Sequence, residues 1–586
     1  MNFYFRRRED DERPRRKVGC LGGCLIFFAI YLICCGILGW MMGGLFSPSS
    51  VELKDQTVYR LQLKGTLVEQ AQDESPFAGA LSSVPYYQAK ESVGLDEILS
   101  NIRLAKNDDK ILGIWLDGGQ LSMAPASAKA IRDALLDFKS SGKWVLASAK
   151  NFDQTNYYVA SVADRICLDP VGAVQWNGLS GQKMYYTRIL EKIGVEMQIV
   201  KVGTFKSAVE PFFRTSMSDA DRKQTEEYLN GIWSEYKQAV SASRHLTEAQ
   251  LDALADRYMG LQLAEAQVEA GLVDTIVYGQ DMDSLLRVYT GTKDYKTLTT
   301  GKLAQVKRPE SKAKDKVAVL YLEGQIYEDS GDGIVDKEVL KQLKKIQKKD
   351  DVKALVIRVN SPGGSAAASE QIWRAIQKIK ADSIPVVISM GDLAASGGYY
   401  ISCGADYIFA EPTTITGSIG IFGTIPNVSK LRNKVGLDID GVTTNKHSAL
   451  SSNMIYKGMN KEEHALMQTM VENGYDLFTN RCAEGRHVSQ DYIKSIGEGR
   501  VYLGAKGVEL GIVDELGNLD NAVAKAVELA GLENYKLVYF PEKKDPWQEL
   551  LKSFDNSTEE ERLIMKMRNF CTQPRVMAIM DEIVIE

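Results

Sequence analysis

Asp351-Val352-Lys353-Ala354-Leu355-Val356-Ile357-Arg358-Val359-Asn360-Ser361-Pro362-Gly363-Gly364 reads as a short buried strand running into a glycine turn. Asp109-Lys110-Ile111-Leu112-Gly113-Ile114-Trp115-Leu116-Asp117-Gly118-Gly119 carries the same pattern. Moving outward, Lys143-Trp144-Val145-Leu146-Ala147-Ser148 matches Ile384-Pro385-Val386-Val387-Ile388-Ser389. Tyr157-Tyr158-Val159-Ala160-Ser161-Val162-Ala163-Asp164 then matches Tyr399-Tyr400-Ile401-Ser402-Cys403-Gly404-Ala405-Asp406, and Ala270-Gly271-Leu272-Val273-Asp274 matches Leu510-Gly511-Ile512-Val513-Asp514. The offset stays between 240 and 243 residues throughout, which marks an internal duplication. Helical stretches such as 126–138 and 367–379 separate the strands, so each half is expected to be an α/β domain on a mostly parallel sheet.

The 586 residues would make roughly four domains by length alone. The duplication reduces that to two halves, 47–300 and 315–540, joined by a lysine-rich linker at 301–314 and followed by a tail at 541–586. The tail shows helical periodicity through Trp547, Leu550, Leu551 and Phe554, and is expected to be helical and docked. A long amphipathic segment, 218–240, is expected to be an exposed helix. Hydrophobic residues at 44% and charged residues at 25% are globular values. The balance of 71 basic against 77 acidic residues argues against a nucleic-acid partner.

Residues 18–46 carry no charge, long enough to span a bilayer as a transmembrane helix. Before them, residues 1–17 hold Arg6, Arg7, Arg8, Arg13, Arg15, Arg16 and Lys17, whereas the next basic residue afterwards is Lys54. That asymmetry predicts a cytoplasmic N-terminus and a far-side catalytic region. A cleaved export signal would have a shorter apolar core and a small-x-small exit, which Gly44-Leu45-Phe46-Ser47 does not supply. Eight cysteines without a C-x-x-C pair, and four histidines without H-E-x-x-H, point to no metal site and no disulfide framework.

Residues present in one copy only are the candidates for chemistry. Met390-Gly391-Asp392-Leu393-Ala394-Ala395-Ser396-Gly397-Gly398-Tyr399-Tyr400 follows a strand, and aligning the tyrosine pairs sets Gln154 of the first half opposite Ser396. A serine on a small-residue turn entering a helix is a candidate nucleophile, or else an ordinary N-cap. A serine hydroxyl needs a base. Val202-Gly203-Thr204-Phe205-Lys206-Ser207-Ala208-Val209-Glu210-Pro211-Phe212 places Lys206 among apolar and small residues, where desolvation would lower its pKa; a solvated surface lysine is the plainer reading. Gly363 and Gly364 would let backbone N–H groups approach a substrate carbonyl, or would simply make a tight turn.

These blocks, with Thr416-Gly417-Ser418-Ile419-Gly420, resemble the signal peptide peptidase A family in its long, duplicated bacterial form. The resemblance covers essentially all of the chain after residue 46. It implies tandem Clp protease/crotonase-like domains and a Ser/Lys dyad endopeptidase. It also implies a homotetramer anchored in the bacterial inner membrane by one helix, with signal-peptide remnants and other hydrophobic peptides as substrates. No metal or other cofactor is implied. Carried over, Ser396 is the nucleophile, Lys206 the general base, Gly363 and Gly364 the oxyanion turn, and Ser418 the group orienting the lysine. Lys446, in Thr443-Thr444-Asn445-Lys446-His447-Ser448-Ala449, holds the repeat position of Lys206 and follows Ser396 by 50 residues, so it is an alternative base. A non-catalytic peptide-binding scaffold and an acyl-CoA enzyme are the competing readings of the same fold.

Overall fold

Among the described residues the strands form three sheets, two of them the expected parallel sheets and the third shared between the halves. The computed structural model describes residues 51–71, 92–308, 311–542 and 575–579. The expected anchor at 18–46 lies outside them, and no helix among the described residues is long and apolar enough to cross a membrane.

In the first half, β1 (Thr57–Val68), β2 (Ser92–Gly94), β3 (Ile111–Ser122), β4 (Trp144–Ala149), β5 (Arg165–Leu168) and β7 (Thr275–Ile276) run in the order β2-β1-β3-β4-β5-β7. All of these pairs are parallel, and α1 (Leu95–Asn107), α2 (Pro125–Lys139) and α3 (Gln154–Ala160) are the crossovers from β2 to β3, β3 to β4 and β4 to β5. Side chains alternate across the sheet: Ile114, Leu116, Val145 and Ala147 enter one core, while Trp115, Leu146 and Cys167 enter another on the opposite face.

The second half repeats the plan with β9 (Lys316–Glu323), β12 (Val352–Ser361), β14 (Val386–Ala395), β15 (Tyr407–Ala410), β16 (Ile415–Gly417), β18 (Val501–Leu503) and β20 (Lys536–Phe540). Its main order is β18-β16-β14-β12-β9-β20, with β15 beside β14. Again Ala318, Leu320 and Leu322 face one core and Val317, Val319 and Tyr321 the other.

The halves are not separable along the sequence. β6 (Glu196–Lys201), from the first half, pairs antiparallel with β17 (Phe422–Asn427) of the second, and its Val200 is buried in the second half's core. Conversely, Ala395, Ile415 and Val501 pack in the core of the first half. The third sheet runs β11 (Ile334–Val335), β10 (Ile326–Tyr327), β13 (Gly363–Ser365), β21 (Arg575–Ile579), β17, β6.

Three expectations change in detail. The amphipathic segment forms α4 (Asp219–Arg244), capped by the Ser218 side chain, but it is half-buried: Tyr228, Ile232, Tyr236 and Val240, four residues apart, make one apolar stripe against the first core. The linker begins as a helical turn, Thr300–Ala304, with Leu303 buried, and the Arg308 guanidinium donates to Asn101 Oδ1 at 2.6 Å, which docks it on the first half. In the tail expected to be helical, the stretch carrying Trp547 to Phe554 lies outside the described residues, whereas residues 575–579 are a strand, stabilised by backbone pairing on both edges.

Candidate active site

Strand β14 is buried along most of its length and ends at Ser396, whose backbone adopts φ 55° and ψ −114° before α5 (Gly397–Ser402) begins. This conformation costs a non-glycine residue about 1–3 kcal/mol. The surroundings hold it: Ser396 N–H donates to Gly417 O at 2.8 Å, and Tyr400 N–H donates to Ser396 O at 2.8 Å. Gly398 lets the helix close on the neighbouring strand, since a Cβ there would lie 2.6 Å from Ser361 O. The result is a fully buried serine on a sharp strand-to-helix turn.

Lys206 arrives from the other half. β6 crosses into the shared sheet and turns at Gly203, whose φ of 108° and close approach to Glu498 O exclude a side chain. Phe205 N–H then donates to Glu498 O at 2.9 Å, and Gln224 of α4 donates to Phe205 O at 3.1 Å and to Ser207 Oγ at 3.0 Å. The lysine enters between two glycines: a Cβ on Gly499 would lie 2.6 Å from Lys206 Cβ, and one on Gly420 would lie 3.3 Å from Lys206 Cδ. Lys206 is 1% exposed. Its Nζ lies 2.8 Å from Ser396 Oγ, 3.0 Å from Ser418 Oγ and 3.3 Å from Ser418 O. Ser418 is fixed by its own N–H donating to Arg500 O at 2.7 Å.

Gly363 and Gly364 open β13, just after Pro362 interrupts the preceding strand. Gly363 has φ 99°, and a Cβ on Gly364 would fall 2.0 Å from Ile326 O. Both positions therefore demand glycine; the Gly363 N–H donates to Ser361 Oγ at 3.1 Å, and Gly364 pairs with Ile326. Lys446, by contrast, is on the surface, its side chain 70% exposed and its Nζ 2.7 Å from Glu462 Oε1. The structure thus brings Lys206, Ser396 and Ser418 together and leaves Lys446 outside the cluster.

Two links from the first half grip the strand that delivers Ser396. Glu69 and Arg358 form a buried bidentate pair at 2.9 and 3.2 Å, and the same guanidinium donates to Met390 O at 2.8 Å and Ser389 Oγ at 3.0 Å. Asp392 accepts from Ser127 N–H at 2.8 Å and Ser127 Oγ at 2.6 Å, capping the first turn of α2, which has no side-chain cap of its own. Burial raises the Asp392 carboxyl, and it pushes the carboxyls of Glu323 and Glu411 up to about 7. For Glu411, repulsion from Asp133 and Asp392 adds to the rise, while Lys129 and Arg358 oppose it. None of Gln224, Gly499, Glu69, Arg358 or Asp392 stands out in sequence, because each acts on a partner far away along the chain. The only signal is the glycine density of Gly497-Glu498-Gly499.

Comparison with known proteins follows the same lines. The model of peptidase family S49 matches residues 137–290 and 378–533, one block in each half, and the Clp protease model matches residues 309–415. Protease 4 of Haemophilus influenzae is 34% identical over 530 residues, covering 86% of this chain and 84% of that protein. Protease 4 of Salmonella typhi is 35% identical over 532 residues, covering 88% and 85%. The chloroplastic serine protease SPPA of Arabidopsis thaliana is 28% identical over 480 residues, covering 80% and 70%.

Proposed function

This chain belongs to peptidase family S49 and is a serine protease, and from that premise we propose that Ser396 and Lys206 form a dyad that cleaves apolar peptides, signal-peptide remnants among them, at a membrane surface. The observation that carries the dyad is the 2.8 Å approach of Lys206 Nζ to Ser396 Oγ. A neutral amine accepts the hydroxyl proton as Oγ attacks the scissile carbonyl. Burial favours the uncharged form of any lysine, and Lys206 is buried. Ser418, held by Arg500 O, aims the amine's lone pair at Oγ by occupying another of its hydrogen-bonding directions. Backbone N–H groups at Gly363 and Gly364 receive the oxyanion. The protonated amine then gives its proton to the leaving nitrogen, and water hydrolyses the acyl-enzyme with Lys206 again as base.

The cation-rich N-terminus and the uncharged run at 18–46 support a single anchor with the N-terminus in the cytoplasm of a bacterium and the protease on the outer face of the inner membrane. We assign the assembly as a homotetramer on the family resemblance. The test is cleavage of a synthetic apolar signal peptide, with the products mapped, by the full chain and by Ser396→Ala. The variant is expected to fall to background and to lose labelling by a fluorophosphonate. Equal cleavage by the two proteins would discard the dyad.

A further inference from the structure

Asp221, Gln224 and Glu227 follow one another at three-residue spacing along one side of α4, and each grips something beside Lys206. Gln224 holds Phe205 O and Ser207 Oγ, the neighbours of the lysine on either side. Its Oε1 accepts from Val501 N–H at 3.4 Å, one residue after the Arg500 carbonyl that fixes Ser418. Asp221 is fully buried, and Lys183 Nζ lies 2.7 and 2.9 Å from its two oxygens. This pair lies against the same serine. Ser207 Oγ accepts from Lys183 Nζ at 3.4 Å, and the Gln224 amide that donates to Ser207 also donates to Asp221 Oδ1 at 3.2 Å. A positive and a negative charge are thus buried one residue away from the base.

We propose that Lys183 and Asp221 are positioning residues of the protease: the pair anchors the Lys206 segment and, by summing to zero charge, keeps the Lys206 amine in its uncharged, proton-accepting form. The proposal rests on the reading of Ser396 and Lys206 as the dyad. A carboxylate alone at this spot would favour the ammonium form of Lys206 and disarm it, whereas a cation alone would favour the free amine. Removing either partner leaves one unit charge on the order of 10 Å from the amine, which at an effective dielectric of about 20 moves its titration by about one pH unit. Other charges also face the segment. Arg500 Nη2 donates to both oxygens of Glu227, at 2.8 and 2.7 Å, with the guanidinium 4.9 Å from the Phe205 ring centre. Glu210 lies 3.8 Å from Arg214, and the Glu498 carboxylate accepts from Thr204 N–H at 3.4 Å. All of these stay in place when Lys183 or Asp221 is replaced, so the sign of the shift belongs to the pair.

The test is the pH dependence of kcat/KM for the full chain on an apolar peptide with blocked ends and no ionisable side chain. Its acid limb reports the base of the free enzyme. Asp221→Asn, which leaves the Lys183 cation, should move that limb about one pH unit lower, and Lys183→Met, which leaves the carboxylate, about one unit higher. The double variant, neutral again, should return the limb to its position in the parent. A pair that only braced the fold would move both single variants the same way or neither. Lys183→Met strands a buried carboxylate and can fail to fold. Asp221→Asn and the double variant then decide alone: a lower limb that returns upholds the pair, while an unmoved limb, an upward move or no return overturns it. Cleavage at the parent rate by Lys206→Ala, measured alongside, would instead sink the dyad on which the pair acts.

Discussion

Ser396 and Gln154 hold the same place in the two copies, yet their backbones differ. Ser396 sits at φ 55°, whereas Asp153, which opens the equivalent helix in the first half, is relaxed at φ −68° and caps it by accepting from Asn156 N–H at 2.7 Å. Gln154 then folds its amide onto the following segment: Oε1 accepts from Asn177 N–H and Gly178 N–H, both at 3.0 Å. The segment it grips follows the first copy's counterpart of β16: Phe152 bridges Val174 there as Ala394 pairs with Thr416 in the second copy. One copy has thus filled with a glutamine amide the space that the other keeps for a serine and an incoming lysine. The glycine turns diverge likewise. β3 continues through Gly118 and Gly119 to Ser122, whereas Pro362 breaks the second copy and frees Gly363 to start a new strand. Duplication supplied two scaffolds; one became a support that exports its lysine, and the other holds the strained serine.

The largest effect should separate the two lysines. Lys206→Ala is expected to lower kcat/KM on an apolar peptide by at least about a thousandfold, as loss of a dyad member does. Lys446→Ala should stay within twofold of the parent. Full activity of Lys206→Ala would return the base to the serine's own half. A second effect concerns the contact between the halves, where Glu411 of the second half faces Lys129 and Asp133 of the first. Its carboxyl is pushed up to about 7 from 4.5, chiefly by burial. Folding therefore favours its protonated form, and the stability it contributes falls as the pH rises from about 4.5 to about 7, then stays level. Glu411→Gln should raise the thermal midpoint at pH 8, by up to about 3 kcal/mol of stability, and change it little at pH 5. A gain of equal size at both pH values would show that the carboxylate is not strained. The smallest effect tests the silent copy. Gln154→Ser should cost about 1–3 kcal/mol by stranding the Asn177 and Gly178 N–H groups, seen as a lower calorimetric midpoint. It should restore no cleavage to Ser396→Ala, because among the described residues no lysine hydrogen-bonds to the Gln154 side chain; any recovery would show the first copy to be a dormant active site.

Much of this arrangement is legible in the sequence because it is local. Alternating apolar residues in 352–359 and 111–116 define the strands, and the small-residue run at 394–398 marks the sharp turn. The parts that escape are those that join distant segments. Nothing in Glu196–Lys201 announces that this strand leaves its own sheet to pair with Phe422–Asn427, and that crossing is what carries Lys206 to Ser396. The four-residue spacing of Tyr228, Ile232, Tyr236 and Val240 was visible, but whether that stripe meets solvent or a core depends on what the fold lays against it. The Glu69–Arg358 pair, 289 residues apart, is equally invisible in one dimension.

The crossing strand also sets a clock. Lys206 leaves the ribosome 190 residues ahead of Ser396. At about 5–20 residues per second, that is an interval of about 10–40 s. Throughout it the nascent chain carries the proposed base without the proposed nucleophile, and β6 waits for β17, its partner strand, to be made. The order of synthesis therefore withholds the proposed dyad from every copy that stops short of Ser396, including any left truncated between the two halves.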